Sequence, residues 1–209
     1  GPFMFVEWVK GDHITYTANL DYWMEGYPLV ETLIFRPIPE SATRVAAVSA
    51  DEVDIVGRLS SEEAASLEGV EGVTVVSYPV TRIFYIAFNN LTTGVDQPTM
   101  DAKVRQAMNY AVDVDTIIDA LFNGHGVPAA GYVASSELGY GIVDPFGYDS
   151  DKAMTLMADA GYADGFEMDM ACPAGAYTNF EEVCEAVTGY LAEIGITVNL
   201  EIMESGQYW

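Results

Sequence analysis

The side chains best equipped for chemistry in this sequence are two histidines, two cysteines and a large excess of carboxylates. His13 follows a Lys10-Gly11-Asp12 turn, and His125 sits between Gly124 and Gly126. They are not spaced as an HExxH pair, and no nucleophile motif accompanies them, so both read as turn or surface residues. No G-x-G-x-x-G follows a strand, no GxxxxGK[ST] opens a helix and no G-x-S-x-G occurs, which leaves dinucleotide binding, phosphate cradling and serine hydrolysis without a motif. The carboxylate pairs Glu62-Glu63, Glu181-Glu182 and Asp149 with Asp151 each fall where a helix is expected to begin. Capping and the helix dipole account for acids there. No D-x-[DN]-x-[DN]-G loop with a closing Glu is present to hold calcium. An acidic hydrolase would need a carboxyl of raised pKa in a dry cleft, for instance within the Gly-rich loop 124–147, and nothing in the sequence asks for one. The expectation is a protein that is not an enzyme, without metal or cofactor; a hydrolase and a scaffolding surface protein are the rival readings.

Cys172 and Cys184 fit no CxxC metal or redox motif. One is expected at a strand end and the other in the following helix. In an exported protein a local disulfide would tie strand to helix across the loop; in a cytosolic one they would be two buried thiols.

The elements that must position these groups follow from composition and period. The chain has 209 residues, 50% of them apolar and 12% aromatic, enough for a sizeable core in one large or two small units. A net charge of -24, from 32 acids against 8 bases, repels phosphate backbones and anionic headgroups, so nucleic acid and anionic membrane are excluded as direct partners. With Lys10, Lys103 and Lys152 the only lysines, the balance leans toward a surface adapted to salt. No window offers the roughly 18 to 20 apolar residues of a membrane span, and no basic and apolar leader opens the chain.

The first third is strand-rich: 3–9 and 13–18 flank a hairpin turn, with a short apolar run at 33–37. A helix is expected over 41–49, a strand over 53–56, and a helix from Ser60, whose partner Glu63 completes a capping box. Strand 73–76 and the long extended stretch through 82–89 read as a chain crossing between two bodies, broken by Pro79. Beyond it, Asp101 caps a helix burying Val104, Ala107, Met108 and Ala111, and Asp113 caps a second with Ile117, Ile118 and Leu121, stopped by Gly124. A helix opened by Asp149 or Ser150 closes at Gly161. Strand 166–172, loop 173–179, helix 180–194 and strand 196–203 then make a β-loop-α-β unit of parallel-crossover length.

The stretch DAKVRQAMNYAVD from Asp101 to Asp113, followed by Thr116-Ile-Ile-Asp119 and Phe122-Asn-Gly124, resembles the VRQAxNYAxDxxxII…G signature of the family 5 extracellular solute-binding proteins, the oligopeptide and dipeptide receptors of ABC importers. Other motifs of that family are matched in order: Gly1-Pro2-Phe3, Asn19 to Trp23, Ala42-Thr43-Arg44 with Glu52-Val53-Asp54-Ile55, Phe88-Asn89, Tyr148-Asp149 with Lys152-Ala153, Ala160-Gly161-Tyr162 and Ile194-Gly195-Ile196. Asp51 stands where the family usually has Gly, so the helix before it is expected to close without a left-handed glycine.

The resemblance implies an α/β fold of the periplasmic binding protein type II class, two-lobed and incomplete. Residues 1–82 would be part of lobe I and 83–209 much of lobe II, with the hinge crossing at 79–89. It implies a substrate-binding component that captures peptides or a similar small solute by hinge closure and delivers them to ABC permease subunits. The receptor would be periplasmic or extracellular and lipid-anchored at the cell surface, its signal and anchor lying outside this segment. The family's GWxADxxxP strand would fall beyond residue 209. Dipeptide-selective members are expected to carry an Arg in the loop matching 173–179, and this loop has none, which favours a longer peptide or an uncharged solute. Positions expected to line the cleft are Asn89 after the crossing strand, Tyr132 in the long loop, and Gly175, Tyr177 and Asn179 at the mouth of the β-loop-α unit, where strand ends and a helix N-terminus offer polar backbone groups. Loop packing is the plainer reading of the two tyrosines, and a turn role that of Asn89.

Overall fold

The computed structural model describes residues 1–89 and 97–208. The chain forms two compact units, Gly1–Gly57 and Arg58–Trp209.

In the first unit, β1 (Phe3–Val9), β2 (His13–Ala18) and β3 (Thr32–Phe35) form an antiparallel sheet in chain order. The expected hairpin is present: Asp12 N donates to Val9 O at 3.0 Å, and Gly11 supplies the left-handed turn residue at φ +82°. A register shift between Phe5 and Glu7 marks a bulge, and Tyr16 on β2 meets Phe5 and Phe35 edge-on across both neighbours. His13 hydrogen-bonds Asp12 and Glu7, which together hold its pKa above the usual histidine value, the Asp12 bond first.

Helix α1 (Ser41–Ser49) has the expected bounds. It closes without a left-handed glycine, as expected, because Asp51 itself adopts the left-handed conformation at φ +58°. Asp51 N donates to Val48 O and Glu52 N to Ala47 O, the paired bonds of a Schellman cap, so the aspartate does a glycine's work at a cost of roughly 1 kcal/mol. Residues 53–56, expected as a strand, are irregular. A strand exists only with a neighbour to share its ladder, and no described segment pairs with this one.

The second unit opens with α2 (Ser61–Leu67), where Ser60 Oγ accepts from Glu63 N and Glu63 Oε2 accepts from Ser60 N at 2.8 Å. The expected strand at 73–76 and the extended stretch 82–89 carry no ladder bonds, for the same reason. A 3₁₀ turn (Pro98–Met100), whose Thr99 and Met100 carbonyls accept from the Arg105 guanidinium, leads into α3 (Ala102–Ala111) and α4 (Val114–Phe122). Asp101 and Asp113 cap these helices as expected, accepting from Lys103 N and Thr116 N. Helix α4 ends on two successive left-handed residues, Asn123 at φ +49° and the expected Gly124 at φ +76°.

Helix α5 (Ser150–Asp159) is capped by Asp149. Strand β4 (Phe166–Ala174), α6 (Phe180–Glu193) and β5 (Ile196–Glu204) form the expected crossover, β4 and β5 parallel from Phe166 opposite Ile196 to Ala174 opposite Glu204. A short helix α7 (Ser205–Tyr208) follows. One core joins α3, α4, α5, α6 and β5 through Val104, Ala107, Met108, Ala111, Ile117, Ala153, Met157, Val187, Leu191, Ile194 and Ile196. No charged residue is buried among those described, so their acids are carried in contact with solvent.

Candidate ligand-binding site

The site is built on the loop between β4 and α6, at the carboxyl end of a parallel strand. Gly175 takes φ +63°, and its N–H donates to Glu181 Oε1 at 2.7 Å, folding the loop back on the first turn of α6. Asn179 is the N-cap of α6 and is itself left-handed at φ +57°. Its carboxamide makes no capping bond and instead donates from Nδ2 to Leu121 O in the last turn of α4. That tether fixes the loop against a second helix, so Asn179 acts as a positioning residue.

Between these anchors Tyr177 stands 36% exposed. Its ring meets Phe180 at 5.6 Å and Phe84 at 5.9 Å, both edge-on, while Phe84 stacks on Phe180 at 5.2 Å and tilts against Phe122 at 6.1 Å. The Arg82 guanidinium lies 4.9 Å from the Tyr177 ring centre. Among the described residues no carboxylate pairs with Arg82, in a chain where acids outnumber bases fourfold. Tyr85, the residue after Phe84 in segment 82–89, meets Tyr132 edge-on at 4.8 Å. Tyr132 is 70% exposed, and Asn89 is exposed at the end of the same segment.

Segment 82–89 touches two of the five expected positions, Tyr177 and Tyr132, and carries a third, Asn89. Arg82 and Phe84 reach the β4–α6 loop at Tyr177, and Tyr85 reaches Tyr132, while Gly175 and Asn179 are held by Glu181 and Leu121. Phe84, Phe180 and Arg82 were not among the positions expected from sequence. The signal for Arg82 and Phe84 was an arginine and a phenylalanine two apart on an extended stretch, a spacing that places both on one side. Electrostatically the loop is mixed: Glu181 and Glu182 occupy the first turn of α6, and Arg82 is the cation on the aromatic wall.

Beneath the loop, Cys172 and Cys184 are free buried thiols in one cluster with Met170. Burial pushes the pKa of each up, more strongly for Cys184, and the two side chains hydrogen-bond one another. Among the described residues no group of three or more His, Cys, Asp or Glu side chains is placed to hold a metal ion, and no helix is long and apolar enough to cross a membrane.

Asn179 offers a check on the loop. Asn179→Ala should destabilise the second unit by roughly 2 kcal/mol, half from the left-handed backbone and half from the lost bond to Leu121, whereas Asn179→Gly should cost about 1 kcal/mol because glycine tolerates that backbone. Urea midpoints of the two variants measure the difference.

The comparisons with known proteins agree with this architecture. The model of the bacterial extracellular solute-binding proteins, family 5 middle region, matches residues 1–209. The glutathione-binding protein GsiB of Pectobacterium atrosepticum is 30% identical over 208 residues, covering 99% of this chain and 39% of that protein. GsiB of Salmonella typhi is 29% identical over 207 residues. The chain thus spans about two fifths of the length of the curated relatives it matches. Among solved structures, the periplasmic binding protein DppA of Helicobacter pylori, in complex with the peptide STSA, superposes with a TM-score of 0.76 at 27% identity, over 100% of this chain and 39% of that one. The dipeptide-binding protein of a Pseudoalteromonas species, in complex with Met-Leu, gives 0.72 at 25% identity, over 100% of this chain and 41% of that one. The fold class is that expected, an α/β periplasmic binding protein of type II present in part. The chain belongs to the family 5 bacterial extracellular solute-binding proteins.

Proposed function

We propose that this chain is part of an ABC-importer receptor that captures a peptide-class solute, with segment 79–89 as the hinge between a lobe containing residues 1–82 and a lobe containing 83–209. The observation that carries the reading is the aromatic wall of Phe84, Tyr177 and Phe180 with the Arg82 cation, held at the carboxyl end of β4 by the Asn179 tether. Partly exposed aromatic rings beside a few fixed polar groups suit a ligand with side chains to bury and a backbone to orient. The relatives support the same class: two carry the name glutathione-binding protein, and two solved neighbours hold a tetrapeptide and a dipeptide.

Ligand contacts made to both lobes would stabilise the closed state, and ABC permease subunits would receive the solute. No bond is broken in this account, so no residue is assigned a catalytic role. The receptor would work in the periplasm or at the cell surface, anchored there by a lipid.

The test is native mass spectrometry of the full-length protein with a mixture of di- to hexapeptides and reduced glutathione, run beside thermal melting. The reading expects a retained, chemically intact peptide and a raised melting temperature. Hydrolysed peptide would favour the enzyme reading. Retention of none, with melting unmoved, would overturn peptide binding.

A further inference from the structure

Beneath the candidate site lies a pair of side chains that peptide binding does not use. Cys172 on β4 and Cys184 in the second turn of α6 are the only cysteines of the 209 residues, and the fold brings both into one small cluster with Met170. Cys172 is 0% and Cys184 5% exposed. Apart from its partner, Cys172 Sγ faces only the Phe180 carbonyl, at 3.8 Å, among the hydrogen bonds described. Phe180, Val198 and Leu200 complete the enclosure.

We propose that Cys172 and Cys184 are joined as a disulfide in the exported protein, closing a covalent ring around the Gly175–Asn179 loop. The two ends of the bond are the strand that delivers the loop and the helix that receives it. The crosslink would restrict the unfolded chain and hold the loop ends at their native separation.

The chemistry is thiol–disulfide exchange with a disulfide oxidant, either a small-molecule disulfide or the active-site disulfide of an oxidoreductase. One cysteine loses its proton and attacks the oxidant, displacing one of its sulfurs as a thiolate. The second then attacks the mixed disulfide and displaces the other. Two protons and two electrons leave the protein, and the oxidant departs as two thiols.

Burial disfavours the thiolate at both positions, so exchange in the folded reduced protein is slow, and the bond is set while the chain folds. The same enclosure then shields it from reductants. These features describe a structural staple. The proposal rests on the export in the functional reading but not on the ligand, so failure to retain a peptide leaves it standing.

The test uses full-length protein exported by its cell, purified without reductant and unfolded in guanidinium with iodoacetamide. Glu181 and Glu182 lie between the two cysteines, so a glutamyl endopeptidase separates them. The expected product is one species in which the Cys172 and Cys184 peptides travel together, lighter by two hydrogens than the two thiol peptides and split by reductant. Recovery of both peptides alkylated without prior reduction, or of either joined to another cysteine, overturns the proposal. Melting gives a second readout: reductant applied during unfolding should lower the melting temperature of wild type and leave that of the Cys172→Ala/Cys184→Ala double variant unmoved. An unmoved wild type also overturns it.

Discussion

Gly165→Ala should destabilise the second unit by roughly 3 to 5 kcal/mol, the sum of a left-handed backbone and an overpacked contact that cannot relax by side-chain motion. Gly165 and Gly195 stand side by side at the starts of β4 and β5, where Phe166 N donates to Gly195 O at 3.2 Å. A Cβ on Gly165 would lie 1.9 Å from that same carbonyl oxygen and 2.6 Å from its carbon. Both atoms are backbone, so the two parallel strands would have to part at the point where their ladder begins. Two other glycines separate the contributions. Gly161, at φ +87° with nothing within 4 Å of a Cβ, should lose only about 1 kcal/mol on substitution by alanine. Gly189, inside α6 and equally open, should gain roughly 0.5 to 1 kcal/mol through helix propensity. Urea midpoints in the order Gly189→Ala, wild type, Gly161→Ala, Gly165→Ala would establish that close approach outweighs backbone strain. A Gly165→Ala midpoint equal to that of Gly161→Ala would refute the steric account.

The parts of this fold that were legible in sequence are those whose physical cause is local. Ser60 with Glu63, Asp101, Asp113 and Asp149 cap helices because a side-chain oxygen two or three residues ahead of an unpaired N–H needs no tertiary partner. The face of Val104, Ala107, Met108 and Ala111 is buried as its period requires. Residues 53–56, 73–76 and 82–89 have strand composition, yet laddering depends on a neighbour that no local rule supplies. Asp51 shows the complementary case: the cap geometry was demanded by the helix end, and an aspartate accepted it although glycine is the favoured residue.

The candidate site divides the same way. Gly175, Tyr177 and Asn179 could be singled out as candidates because a loop at the end of a parallel strand is where such sites form. Phe84 and Phe180 could not, since a phenylalanine that walls a site has the same residue type and spacing as one that fills a core. Asn179 was expected to line the cleft, and the structure commits its carboxamide to Leu121 of α4, a partner 58 positions away in sequence. Cys172 and Cys184 show what lies between these cases. Their positions on strand and helix could be read, but the meeting of their thiols follows from how α6 packs on β4.

Leu191→Ala should cost about 3 kcal/mol, as expected for emptying a fully enclosed leucine site in a core that collapses only in part. Leu191 is 1% exposed, and with Cys184 and Val187 it forms the buried stripe of α6, a spacing of three and four residues that keeps all three on one face. The neighbours of that core, Val104, Met157 and Ile196, belong to three other elements, so the cavity would loosen α3, α5 and β5 together. Leu156→Ala, removing a side chain only partly buried against the same core, should cost nearer 1 kcal/mol. The informative comparison is with the loop. Leu191 lies at the far end of α6 from Gly175, Tyr177 and Asn179, so at temperatures where the variant remains folded its peptide affinity should match wild type despite the larger stability loss. Asn179→Ala should show the reverse, a smaller shift in urea midpoint with weaker binding, because it releases the loop from α4 while leaving the core filled. If Leu191→Ala weakened binding as much as Asn179→Ala in folded protein, the β4–α6 loop would be no more than another part of the scaffold, and the ligand contacts would have to be sought elsewhere.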